Sequence, residues 1–380
     1  MRARSIIILF SLIYVSCQSR PTKTDYVNGG VEHGFLPPPV WNQSMQNLKQ
    51  DMLTLEPYIF DSVEFSSPSN HEFLGKQIHK LAEETKNVKH DPIILTKDPT
   101  VRFVAAQFAD EIQKADENFQ EGWMGYSRSQ LAKATSFCLE CHTRIHDGPE
   151  FSPHDTARPY LSTLPVVEQI EFMIAFRQFN AAYDLALQNL KEIQSEKMIN
   201  TSSDRVARLA LLVSVQYMQD IEKTNKVIKI ISQNTTLPLY LKKSNLQWKK
   251  SMANWHSSDS LKELPAVRNM LNNRVSEIED MRAIPALLNL LTEGQSRSEQ
   301  SESLYLTGQS YENLNKISTM SLHENYYESC ARKAPESKWA QKCFDRLLNS
   351  VTLNYSGSGG TRIPPEIKSR LDNLQKVIKE

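Results

Sequence analysis

The chain has 380 residues, 44 of them basic and 44 acidic, and no net charge at pH 7, so composition supplies no argument for binding nucleic acid or an anionic membrane surface. With 40% hydrophobic residues and only 12 glycines it can bury sizeable cores, and its length suggests two or three domains. Abundant Leu, Gln, Glu, Lys and Ala, with little apolar alternation, point to an all-α protein.

Residues 1–16 open on Met1-Arg2-Ala3-Arg4 and run apolar from Ile6 to Val15. A basic start followed by a short apolar stretch reads as a secretory signal, too short to span a bilayer. Tyr14-Val15-Ser16-Cys17 resembles the lipobox of bacterial lipoproteins, with Tyr14 where that family usually has Leu. The resemblance implies lipidation of Cys17, so that acyl chains rather than a helix hold the protein to the membrane. Ordinary cleavage elsewhere, giving a soluble periplasmic protein, stays open, and either route leads to the bacterial cell envelope. Gln18 is not the aspartate that typically marks inner-membrane retention, which points to the outer membrane.

Residues 17–39 hold Pro21, Gly29-Gly30, Gly34 and Pro37-Pro38-Pro39, the composition of a flexible tether. Helical patterning follows. Met45, Leu48, Met52, Leu55 and Ile59 form one apolar stripe, bent or closed by Pro57. A second stripe comprises Leu74, Ile78, Leu81, Thr85 and Val88. Asp98-Pro99 supplies an N-cap and first-turn proline for a third helix, with Val101, Val104, Phe108, Ile112, Ala115 and Phe119 inward. A fourth is predicted from about Ser127 to His146, with Leu131, Ala134, Cys138, Cys141, His142 and Ile145 on its inner face and Gly148-Pro149 as its stop. Trp123 and Met124 precede it and are expected to pack under a loop. Four such helices with short or moderate connections make an antiparallel four-helix bundle over residues 40–147.

Cys138-Leu139-Glu140-Cys141-His142 spells C-x-x-C-H, the attachment signature of a c-type haem. Two thiols near one face of a helix can form thioethers to the porphyrin, and the adjacent imidazole can hold the iron as proximal ligand. The chain has five cysteines, so a chance match is improbable. A structural zinc site would need two more Cys or His ligands at similar spacing, and the nearest candidate is His146. A thioredoxin-like pair would follow a strand, and the alternation of one is absent here.

A motif late on the fourth helix is the arrangement of class II cytochromes c, and residues 40–147 resemble that family. Met45-Gln46-Asn47-Leu48 looks like its first-helix segment, and Asp91-Pro92-Ile93-Ile94 followed by Phe103 looks like its entry to helix three. Leu139, Ile145 and His146 depart from the family pattern, and Arg144 stands two positions past the histidine. The resemblance implies one covalent haem c and, in low-spin members, a first-helix methionine as sixth ligand, which falls on Met45, with Met52 as second choice and His79 ranked lower. Were Met45 only core packing, the iron would be five-coordinate and open to NO or CO.

Residues 148–165 read as a linker, with Gly148, Pro149, Pro153, Pro159 and Pro165. Over 166–355, Phe179-Asn180-Ala181-Ala182-Tyr183 and Leu304-Tyr305-Leu306-Thr307-Gly308-Gln309-Ser310-Tyr311 look like parts of tetratricopeptide-type units. Helix pairs at 204–218 with 220–232, and 236–255 with 259–272, read as divergent repeats, an irregular helical bundle being the alternative. Cys330 and Cys343 flank Pro335 and could face each other across a hairpin, so an oxidising compartment predicts a disulfide, with two buried thiols the other reading. Residues 356–380 comprise a Gly/Ser break after Tyr355 and a last helix that caps the array or docks on a partner.

These readings converge on an envelope-anchored monohaem c-type cytochrome that transfers electrons and docks a redox partner or another envelope protein through its repeats. The membrane is met through the lipid anchor only, and nucleic acid is not a partner. A haem sensor for NO or CO and a non-redox envelope adaptor are the alternatives. The chain shows no nucleophile with base, no second metal cluster and no phosphate loop, so any catalysis would have to occur at the haem.

Overall fold

The computed structural model describes residues 38–88, 99–144, 162, 164–175, 177–196, 202–234, 237–256, 260–292, 295–314 and 322–379. The protein is all-α: among these residues lie sixteen α-helices and one two-residue β pairing. No helix among them is long and apolar enough to cross a membrane. The tether with Cys17, the approach to the third helix with Asp98, and His146 with most of the linker lie outside the described residues.

The N-terminal helices are α1 (Pro38–Phe60), the short α2 (Ser62–Phe65), α3 (His71–Val88), α4 (Pro99–Gln120) and α5 (Met124–Arg144). Their apolar stripes face one another: Leu48, Leu55 and Ile59 of α1, Leu74, Ile78 and Leu81 of α3, Val104, Ile112 and Phe119 of α4, and Leu131 and Ala134 of α5 are all buried. Helix α1 continues three residues past Pro57 and stops where the Asp61 carboxylate caps α2 through the amides of Val63 and Glu64. The turn after α4 explains why α5 begins at Met124 rather than near Ser127. Gly122 takes a left-handed φ of 83°. The Trp123 amide then bonds to the Asn118 carbonyl and the Gly122 amide to that of Phe119, a Schellman closure that lets the next helix start at once. That closure also turns Trp123 outward. It is 57% exposed, beside the exposed Tyr126, not packed under a loop.

The rest of the chain is a succession of helices that pack on their neighbours: α6 (Val166–Ala175), α7 (Phe179–Glu196), α8 (Ser202–Leu212), α9 (Ile221–Gln233), α10 (Leu239–Ala253), α11 (Leu264–Asn272), α12 (Glu277–Thr292), α13 (Arg297–Asn313), α14 (Leu322–Lys333) and α15 (Lys338–Asn354). At the α13–α14 crossing Gly308 lies against Tyr327, whose buried hydroxyl donates to Glu312. The segment after Tyr355, read as a flexible break, is instead a small hairpin with Ser356 paired to Thr361 and Gly357 to Gly360. The last helix, α16 (Pro365–Lys379), packs on α14 and α15. Its Arg370 shares the buried carboxylate of Glu328 with Arg332.

The array closes back on the first helices. Helix α14 contacts α4, while α6 and α12 contact α5. Gln107 of α4 and Asn325 of α14 exchange two side-chain hydrogen bonds, of 3.0 and 2.7 Å. One hydrophobic cluster therefore runs from Leu48 to Leu374.

Two outcomes test this packing. A Cβ on Gly308 would come within 2.6 Å of the Tyr327 ring, so Gly308→Ala is expected to lower the unfolding free energy by about 1–3 kcal/mol in urea titration. Glu56 is buried in α1, neither carboxylate oxygen has a hydrogen-bond partner among the described residues, and burial pushes its pKa up to about 8. The unfolded chain ionises this group near 4.5, whereas the folded chain keeps it protonated up to about 8. Its contribution is complete below the lower value and is lost as pH rises through the window, at about 1.4 kcal/mol per unit. Glu56→Gln should flatten that part of the pH–stability curve.

Candidate functional site

The C-x-x-C-H segment lies within the last turns of α5, helical from Met124 to Arg144. The side chains of Cys138, Cys141 and His142 lie outside the described residues, but the helical backbone sets their relation: positions i, i+3 and i+4 share one face. Two thiols and an imidazole grouped in this way are a donor set that fits a c-type haem.

The packing of α1 on α5 fixes what stands opposite. Arg128, near the start of α5, donates to the Ile59 carbonyl at the end of α1, 3.0 Å away. Met45 and His142 are each fourteen residues from that contact, about 21 Å along their helices. The Met45 side chain is outside the described residues. Met52 is buried in α1 seven residues from Ile59, about 10 Å along the helix from it. His79 is placed elsewhere. Its Nδ1 bonds to the buried carboxylate of Asp116 at 2.8 Å, and nearby Asn118 bonds to Gln130, twelve residues from His142 or about 18 Å along α5. That separation removes His79 as an axial ligand. The wall nearer the motif is apolar, with Leu48, Val104, Phe108 and Phe137 all buried and the last two rings 6.4 Å apart.

Elsewhere Cys330 of α14 and Cys343 of α15 are joined in a disulfide across the Pro335 turn, with Cα atoms 6.1 Å apart. The Cys330 carbonyl also accepts a hydrogen bond from Ser301 of α13, so the cross-link lies in the packed interior.

A second feature had no signal in the apolar periodicity. After Leu212, α8 widens into a π-helix, Val213–Tyr217, a distortion that often accompanies function. It borders a cleft of about 820 Å³ between the α8–α9 turn and α12. A smaller recess of about 90 Å³ adjoins it, sharing Gln219 and Asn289. Gln216 is 6% exposed, and its Oε1 has no hydrogen-bond partner among the described residues. Opposite, the Arg282 guanidinium lies 4.5 Å from the centre of the Trp255 ring. Two non-glycine residues on this wall, Arg177 (φ 58°) and Gln219 (φ 51°), adopt the left-handed conformation. Each follows a helix end, where glycine is the usual choice.

Comparison with protein-family models, curated proteins and solved structures finds no match to this chain.

The left-handed conformation costs a non-glycine residue about 1–2 kcal/mol. Gln219→Gly is therefore expected to raise the unfolding free energy by about 1 kcal/mol, read from the urea midpoint; an unchanged or lower midpoint would show that the glutamine side chain contributes more than the strain removes.

Proposed function

We propose that the protein is an envelope-anchored monohaem c-type cytochrome that transfers electrons, with residues 40–147 forming an antiparallel bundle of the class II type and residues 166–355 forming TPR-like repeats that dock a protein partner. Cys138 and Cys141 hold the porphyrin by thioethers, His142 is the proximal ligand, and Met45 is the distal one. Acylation of Cys17 ties the chain to the membrane, on the outer-membrane side of the periplasm.

The observation that carries this reading is the C-x-x-C-H motif in helical conformation; it is supported by Met45 and His142 lying equally far along their helices from the Arg128–Ile59 contact. When bound, the haem supplies a one-electron couple, and a thioether on the sixth position raises its potential. The protein contributes the rest: Leu48, Val104, Phe108 and Phe137 keep water from the motif end of the bundle. Dry walls favour a redox centre that changes charge without exchanging ligands. The cleft beside the π-helix is the docking site for that partner in this reading, and the adjoining recess holds the Gln216 Oε1, which has no hydrogen-bond partner among the described residues.

The test is spectroscopic. Protein matured in a host with c-type haem machinery should carry covalent pigment and, when reduced, show a sharp low-spin α band that resists CO. Met45→Ala should convert it to a high-spin form that shifts with CO. A parent spectrum that already responds to CO would replace electron transfer by gas binding. Colourless protein without porphyrin mass would end the proposal.

A further inference from the structure

The chain is neutral as a whole, yet between Glu222 and Asp259 stand seven lysines, no arginine and no acidic residue. This stretch is the α9–α10 hairpin. Helix α10 is held to the body by Leu241, Asn245, Trp248 and Met252, all buried. Its outer side is not simply polar. Leu239, Tyr240 and Leu246 are 69, 54 and 60% exposed, and helical spacing places Leu239, Lys243, Leu246 and Lys250 on one stripe. Lys226 and Lys229 are exposed on α9.

We propose that this outer face seats on an anionic phospholipid bilayer, with Leu239, Tyr240 and Leu246 entering the headgroup layer and the lysines resting on lipid phosphates. Scattered exposed leucines need no explanation. Here they share a stripe with lysines on a helix whose opposite side is locked in the core, the pattern of an interfacial helix. The choice of cation separates the occupants. Protein interfaces are enriched in arginine and depleted of lysine, and base recognition favours the arginine fork. A lipid surface needs only compact charges on long apolar stems, which lysine supplies. Tyrosine is likewise enriched at the membrane–water boundary. The surface needs neither the haem nor the acyl chain, so it stands or falls apart from the proposed electron transfer.

The test uses the mature chain, secreted behind a removable signal and carrying Cys17→Ser so that no lipid is added. It is sedimented with vesicles of phosphatidylethanolamine containing about 30% phosphatidylglycerol, or with pure phosphatidylcholine vesicles. Binding is expected to the anionic vesicles alone and to weaken in about 0.5 M salt. Leu239→Ser with Leu246→Ser, and separately Lys243→Glu with Lys250→Glu, should each lower partitioning at least about tenfold. All four positions are exposed, so the unfolding midpoint should stay at the parent value. Equal binding to both vesicle types, or variants that bind like the parent, would overturn the proposal. So would retention on immobilised polyglutamate without vesicle binding, which would make the occupant an acidic protein. Haem absorbance recorded on the same samples reports the electron-transfer reading independently.

Discussion

One apolar core runs from Leu48 in the first helix to Leu374 in the last, with a smaller cluster around Val267 and Leu287 beside it, and almost every other feature is a response to this burial. Helices with one oily side cannot stand alone in water, so each must lay that side against a neighbour. The Arg128–Ile59 hydrogen bond joins the end of α1 to the start of α5, and the attachment motif lies in the last turns of α5.

Polar groups inside this core do the aligning. Gln107 and Asn325, 218 positions apart, satisfy each other's amides and set α14 on α4 in one register. Glu328 is buried only because two guanidiniums, of Arg332 and Arg370, converge on it. Leaving either partner alone would strand a buried polar group, which costs more than the pair itself contributes. Glu56 is the counter-example, a buried acid without a hydrogen-bond partner among the described residues, and burial favours its neutral form.

Much of the first bundle was legible in the sequence. The stripes of α1, α3 and α4 follow the 3.6-residue period, and their apolar members on described positions are buried. Period says that a face is covered, however, and not by what. Residues 40–147 and 166–355 look separable because the Pro-rich stretch between them resembles a linker, while the contacts that join them include the amide pair of Gln107 and Asn325, residue types that hydropathy assigns to the surface. The π-helix escaped for a related reason: Val213, Ser214, Val215 and Gln216 carry no mark of an extra residue in the turn. The left-handed Arg177 and Gln219 hold residue types that do not announce such a backbone. The C-x-x-C-H spacing is a local property of five residues, Cys138 to His142, and the helical backbone there keeps it.

The closure of α14 onto α4 has a consequence in time. The motif ends at His142, whereas α14 begins at Leu322, so the helix that covers α4 leaves the ribosome and any export channel long after the thiols of Cys138 and Cys141. Cys138 and Cys141 emerge before the helix that packs on α4, and the later pair, Cys330 and Cys343, emerges last, with its two members facing each other across one turn. Order of emergence thus separates the two sets of cysteines in time.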